Sequence, residues 1–371
     1  MPWYIYAVLF ASISMAVGVI WDISWHLSIG RDSFFVAPHL AIYAGGVVAG
    51  LACGSLALRT SFARVPSSER ARSVRFWRYF HAPLGAWVCV WGAFAMLTAG
   101  PLDDWWHNAY GLDVKVLSPP HVLLALGMGA IQIGALLLVL GWQNRAADAG
   151  GRVGHWLYAL AAGALLMMVV SASAECGLPN QWHRAGTFKA LAGVLPMFIV
   201  AVGRAGRLKW PATAMTAIYV LGTMIIGWTL QAFPAEPRLA PIYRSVEHMV
   251  APSVPLMLIP AGLAVDLVMR SLRDRSDWIA VLTVASVFVT VLVVTLWFWG
   301  DFMLSPLARS YFFFSDQWAY HTRPGPWQYQ FWGAAQDPVL RPTSLAWILG
   351  LGIVSTRVGL WWGNGMASVR R

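Results

Sequence analysis

Apolar positions along this chain fall into long unbroken runs, not into the alternation of a half-buried strand or the stripe of a soluble helix. The runs lie near 3 to 21, 38 to 57, 80 to 99, 120 to 141, 155 to 173, 187 to 203, 211 to 231, 249 to 269, 278 to 299 and 344 to 362, each bounded by charge, Pro or Trp. About 20 apolar residues are what a helix needs to cross the hydrocarbon of a bilayer. The helix is also the open element that satisfies its own backbone there. The pattern therefore predicts an all-α, polytopic integral membrane bundle of about ten transmembrane helices. Its first run, Met1 to Ile20, lacks a basic leader and a small-residue cleavage pattern, so it reads as a retained span and not as a signal peptide.

Composition removes the soluble alternatives. Of 371 residues, 58% are hydrophobic and 11% charged, against about 25% charged in soluble domains. The net charge of +10 would fit nucleic acid, but the Lys and Arg sit in short clusters between apolar runs, which excludes that reading. Ten crossings put both termini on one side. Connections on that side, from Arg59 through Arg371, hold 17 of the 26 Lys and Arg. By the positive-inside rule this side is cytoplasmic. The 22 Trp gather at run ends, as at Trp25, Trp105, Trp106 and Trp361, where an interfacial ring belongs. Three scattered Cys support neither a disulfide framework nor a thiolate metal cluster. Organisation follows as a four-helix region, 1–141, and a six-helix region, 142–371, with a long outer connection at 301–343.

A repeat then concentrates the scarce acids and histidines. Asp22-x-x-Trp25-His26-x3-Gly30-x-Asp32-x5-Pro38-His39 can be written over Asp103-x-x-Trp106-His107-x3-Gly111-x-Asp113-x6-Pro120-His121. Two runs intervene, so both copies face the same outer side, as a duplicated helix-loop-helix unit. Asp22 and His26 are i and i+4 on one helical face, and His39 follows Pro38 in the first turn of the next helix. Asp103, His107 and His121 repeat the arrangement. Two imidazoles and a carboxylate leave coordination positions open, as catalytic Zn, non-haem Fe(II) or Cu sites require. Ionisable groups kept at membrane level are functional by default.

Other polar residues carry less. Asp32 and Asp113 are either additional or supporting groups for the metal, or Asx turns and helix caps. Asp104 has no counterpart and reads as a solvated acid. His183, near Glu175 and Cys176, either reaches the same outer cavity or is an interfacial histidine. His248, at the outer start of the eighth run, and His321, in the long connection, divide the same way. His81 and His155 lie beside arginines at the other side. Gly45, Gly46, Gly50, Gly127 and Gly129 fall within helices, where close packing is the usual reason.

At this spacing the sequence resembles the C subunit of the particulate methane and ammonia monooxygenases, the copper membrane monooxygenases. That family writes one site as Asp-x3-His-x12-His and a second as Asn-x3-His-x13-His. Here they read Asp22-x3-His26-x12-His39 and Asp103-x3-His107-x13-His121. The likeness covers about residues 20 to 125. Asp103 stands where the family has Asn, the six later helices have no counterpart, and the family's enzymes contain a soluble cupredoxin-like subunit that this chain lacks. The resemblance implies copper at one or two sites, with Asp22, His26 and His39 catalytic and the Asp103 set a partner centre. It implies dioxygen and a small apolar substrate or ammonia, further subunits or a homo-oligomer, and a multi-pass place in a bacterial inner membrane, with the metals toward the periplasm. From spacing alone, iron and zinc stay open. So do a non-catalytic copper or zinc handling protein and an ion or solute transporter. The last is disfavoured because no matched pair of broken helices is apparent.

Overall fold

Long helices make up most of the computed structural model, which describes residues 2–30, 35–111, 118–145, 151–173, 181–235, 246–317 and 337–370. Asp32, Asp113, His321, Glu175 and Cys176 lie outside these. The helices are α1 (Trp3–Ser28), α2 (Ala37–Phe62), the short α3 (Ser67–Ala71), α4 (Leu84–Tyr110), α5 (Pro119–Arg145), α6 (Gly151–Ser171), α7 (Ala185–Ala205), α8 (Pro211–Gln231), α9 (Ile259–Ser271), α10 (Asp277–Leu304) and α11 (Pro342–Ala367). Among the described residues, nine of these are long and apolar enough to cross a membrane, at 21 to 28 residues each. At 1.5 Å per residue the shortest is about 31 Å long, which matches the hydrocarbon thickness. Leu51, Leu126, Phe298 and Val354 are each more than 60% exposed on these helices, the outward apolar surface that a lipid solvent accepts. The chain is a multi-pass membrane helix bundle.

Two compact units divide it. The first holds Met1–Asp22, Arg31–Met168 and Met366–Arg371, the second Ile23–Gly30 and Val169–Gly365. In the first unit, small residues let helices touch backbone to backbone. A methyl group at Gly85 or Gly134 would stand 2.5 or 2.7 Å from the other's carbonyl oxygen, and Gly92 and Gly127 face each other in the same reciprocal way at 2.7 and 2.8 Å. The two pairs are one heptad apart on both α4 and α5 and fix these helices as close antiparallel neighbours. Gly45 meets the Ala11 carbonyl of α1, whereas Gly129 faces open space. Buried Gln132 of α5 donates to the Ser12 carbonyl and accepts from the Ser12 hydroxyl, tying α1 to α5.

Between α2 and α4 the chain forms a small antiparallel hairpin of β1 (Val74–Phe76) and β2 (Phe80–Ala82). Residues 80 to 82 were expected to open the third helix. Pro83 instead caps α4, and the Trp87 indole holds β1 by donating to the Val74 carbonyl at 3.0 Å.

In the second unit one of the expected runs is helical over only part of its length. Only the 13-residue α9 is helical in the run near 249 to 269, and residues 249 to 256 are irregular. Three prolines explain this: Pro252, Pro255 and Pro260 remove amide donors and disfavour helix in the residues before them. His248 accordingly lies in irregular chain, bridged to Pro234, and not at a helix start. The composite segment nevertheless follows the whole of α8. The Met249 amide donates to the Phe233 carbonyl, the Tyr219 hydroxyl donates to the Pro255 carbonyl, and Asp266 accepts from the amides of Ala212 and Thr213 at the start of α8. Non-helical backbone at membrane depth persists where protein buries it, and Ala251, Pro252, Val254, Pro255 and Leu256 are buried.

Candidate metal centre

The second copy of the repeat closes into a three-donor cluster. Pro101 has no amide hydrogen, so the Leu97 carbonyl loses its helical partner, yet α4 continues to Tyr110 and presents Asp103 and His107 one turn apart. His121 comes from the first turn of α5, whose Ser118 hydroxyl accepts from the His121 amide. His107 Nε2 lies 3.4 Å from Asp103 Oδ2, and His121 Nε2 lies 3.3 Å from Asp103 Oδ1. One ligand atom from each residue lies within 4.8 Å of the others. These side chains are between 20% and 34% exposed, so the cluster is shielded but reachable.

Its hydrogen bonding suits a cation. His107 Nδ1 contacts the Gly111 carbonyl oxygen at 3.3 Å. A carbonyl only accepts, so Nδ1 carries a hydrogen there, and Nε2 is the nitrogen turned toward Asp103. A metal-binding histidine is commonly oriented this way, through its second nitrogen. Asp103 Oδ1 is buried and accepts no hydrogen bond among the described residues. The Asp103 carboxylate and the Nε2 atoms of two imidazoles thus converge, an arrangement that a cation can bridge. The donor set is one that copper, iron or zinc accepts.

Gly111 performs a second task. It ends α4 at φ +93°, and its matched residue Gly30 ends α1 at φ +103°. Their amides bond back to the His107 and Trp25 carbonyls at 2.9 and 3.1 Å. Both glycines of the repeat are therefore helix terminators in a backbone region that disfavours any side chain. The matched tryptophans also share a feature: Trp25 Nε1 and Trp106 Nε1 are buried without a hydrogen bond among the described residues.

The first copy is brought together in part. Asp22 Oδ1 on α1 lies 3.2 Å from His39 Nε2 on α2, and each side chain is 23% exposed. His26 stands one turn beyond Asp22 and is exposed. Among the described residues, the Asp103 set is the group of three donors close enough to hold a metal.

Two further acid and histidine pairs lie in the second unit, and their acids were not singled out from the sequence. His183, just before α7, is 2% exposed, with Nε2 3.2 Å from Asp301 Oδ1 and its ring 3.7 Å from the Trp297 ring centre. Burial lowers its pKa below the ordinary 6.5, against the opposing pull of Asp301. His248 Nε2 lies 2.8 Å from Asp316 Oδ2, and its Nδ1 faces the Met249 carbonyl at 3.1 Å. The acids come from the end of α10 and the chain just after it. More than 60 residues separate each from its histidine, so no local spacing reveals the pairing.

No protein-family model, no curated protein and no solved structure matches this chain.

Proposed function

We propose that this chain is a copper-dependent membrane oxygenase that acts on a small apolar substrate or ammonia, with Asp103, His107 and His121 holding the resident metal. The observation that carries the reading is the convergence of these three donors, with the buried Asp103 Oδ1 accepting no hydrogen bond among the described residues. Copper enters through the likeness of both repeat copies to the copper membrane monooxygenases. When bound, the metal would supply the reductive activation of dioxygen. Gly111 orients His107, and Asp103 balances the cationic charge between two helices.

In this reading the pair of Asp22 and His39 marks the second centre, with His26 as the third ligand that the repeat implies. The repeat faces away from the arginine-rich connections, which supports a periplasmic position in a bacterial inner membrane, with both termini cytoplasmic. A non-catalytic copper or zinc handling role is the second reading, favoured by the 20% to 34% exposure of the ligands, which leaves the metal accessible for transfer.

Metal analysis of protein purified in nanodiscs is the first test. The proposal expects bound copper that falls sharply in His107→Ala and His121→Ala. Wild-type protein without copper, iron or zinc after reconstitution overturns it. With copper bound, dioxygen consumption by the reduced protein and oxidation of an added alkane, alkene or ammonia support the oxygenase. Copper retention with no turnover over such a panel assigns the handling role.

A further inference from the structure

The hairpin of β1 and β2 does not stand away from the helices that it joins; it folds back along α4. Trp87 of α4 donates to the Val74 carbonyl, and the Phe76 ring centre lies 5.3 Å from that of Trp87 and 5.4 Å from that of Trp91. Trp91 is seven residues beyond the start of α4, so the hairpin reaches about 10 Å down the helix. The flank it follows faces outward, with Trp91 49% and Phe94 64% exposed, the surface that a bundle gives to lipid. The 27 residues of α4 span about 40 Å against about 30 Å of hydrocarbon, so its end turns stand in the headgroup layers, and the hairpin beside them lies at that depth. Two kinds of side chain are left open there. Trp77 and Tyr79, in the turn, are 76% and 64% exposed. Arg72, Arg75 and Arg78 are exposed and make no ion pair among the described residues, while the one acid of 63–82, Glu69, reaches Arg59 instead. Trp77 keeps its place at φ +48°, a left-handed conformation that disfavours a bulky side chain and suits glycine. Strain of this kind persists where the side chain serves a purpose.

A water-soluble anion would use the arginines and leave both rings in water. An apolar partner would take the rings and strip the guanidinium groups of water. The surface of a bilayer with anionic lipid suits both, because aromatic rings settle at headgroup level and clustered arginines beside a membrane helix are drawn to anionic headgroups. Guanidinium also matches the geometry of phosphate oxygens. We infer that the hairpin is a lipid-anchoring surface for anionic phospholipid of the surrounding bilayer, with Trp77 and Tyr79 among the headgroups and Arg75 and Arg78 on phosphates. This surface depends on the chain crossing a bilayer and is independent of the candidate metal centre.

The test places the protein in nanodiscs that contain a phosphatidylglycerol or a phosphatidylcholine with a photoreactive diazirine near the headgroup, and maps the cross-linked peptides by mass spectrometry. The phosphatidylglycerol probe is expected to label residues 74–82 in preference, by a margin that shrinks as salt rises. Arg75→Gln with Arg78→Gln should lower that preference roughly 25-fold, at about fivefold per cation. Both side chains are exposed, so the thermal midpoint in phosphatidylcholine should change little. Trp77→Gly suits the backbone at its position, so it should keep the hairpin and cut labelling by either probe several-fold. Equal labelling by the two probes, no labelling of the hairpin, or labelling untouched in these variants overturns the assignment. Cross-links from hairpin to hairpin between two copies of the chain also overturn it, by assigning the surface to a dimer.

Discussion

Asp103 on α4 and His121 on α5 meet with a carboxylate oxygen and an imidazole nitrogen 3.3 Å apart, across a connection between two antiparallel helices. The contact exists because the glycine pairs along α4 and α5 draw their backbones together. The position of the donors thus depends on packing well below them, and that dependence yields separable predictions.

Replacing Asp103 with Asn reproduces the residue of the copper monooxygenase motif while removing the anionic ligand. The change should weaken divalent metal binding by on the order of a hundredfold or more, since loss of a mere supporting contact already costs 10 to 100-fold. Competition titration with a chromophoric chelator reads the loss, and an unchanged affinity would exclude Asp103 as a ligand.

Gly92→Ala and Gly127→Ala each place a methyl group under 3 Å from backbone of the facing helix, which cannot yield as a side chain does. Each should destabilise by about 1 to 3 kcal/mol, read from thermal unfolding in detergent. Gly129→Ala, with nothing within 4 Å of the added methyl, is the matched control and should be nearly neutral or slightly stabilising.

Gly111→Ala tests the helix terminator. At φ +93° and ψ 164° a side chain is strained by on the order of 1 to 3 kcal/mol. Relief of that strain would move the carbonyl that orients His107, so metal affinity should fall together with stability. Affinity unchanged at lower stability would show that Gly111 terminates the helix without orienting the ligand.

Acid should selectively stress His183. Its folded pKa is lowered by burial, so below pH 6.5 the unfolded chain takes up a proton that the folded chain resists. Stability from the neutral imidazole is therefore complete above pH 6.5 and declines as pH falls toward the lower folded pKa. Asp301 opposes the shift, so Asp301→Asn should deepen the acid loss, and His183→Gln should flatten it. Unfolding midpoints measured across that range would show equal slopes in all three proteins if the histidine were inert.

Much of this architecture was legible along the chain, because a bilayer imposes one solution on a long apolar run. The nine spans among the described residues follow from that constraint alone, and the repeat exposed Asp103, His107 and His121 by matched spacing. The eighth run shows the limit: its hydropathy is that of a helix, and Pro252, Pro255 and Pro260 were the signal for irregular backbone. Hydropathy counts burial and is blind to missing amide donors.

Residue order by itself determined the membrane class, the helical faces carrying Asp22 with His26 and Asp103 with His107, and the matched positions of Gly30 and Gly111. Tertiary structure alone decided which copy gathers three donors among the described residues, and which distant acids meet His183 and His248. Local spacing sets which way a side chain points from its own helix. The distance between two helices depends on the packing of many small residues, and a contact of 3.3 Å is settled only once that packing is complete.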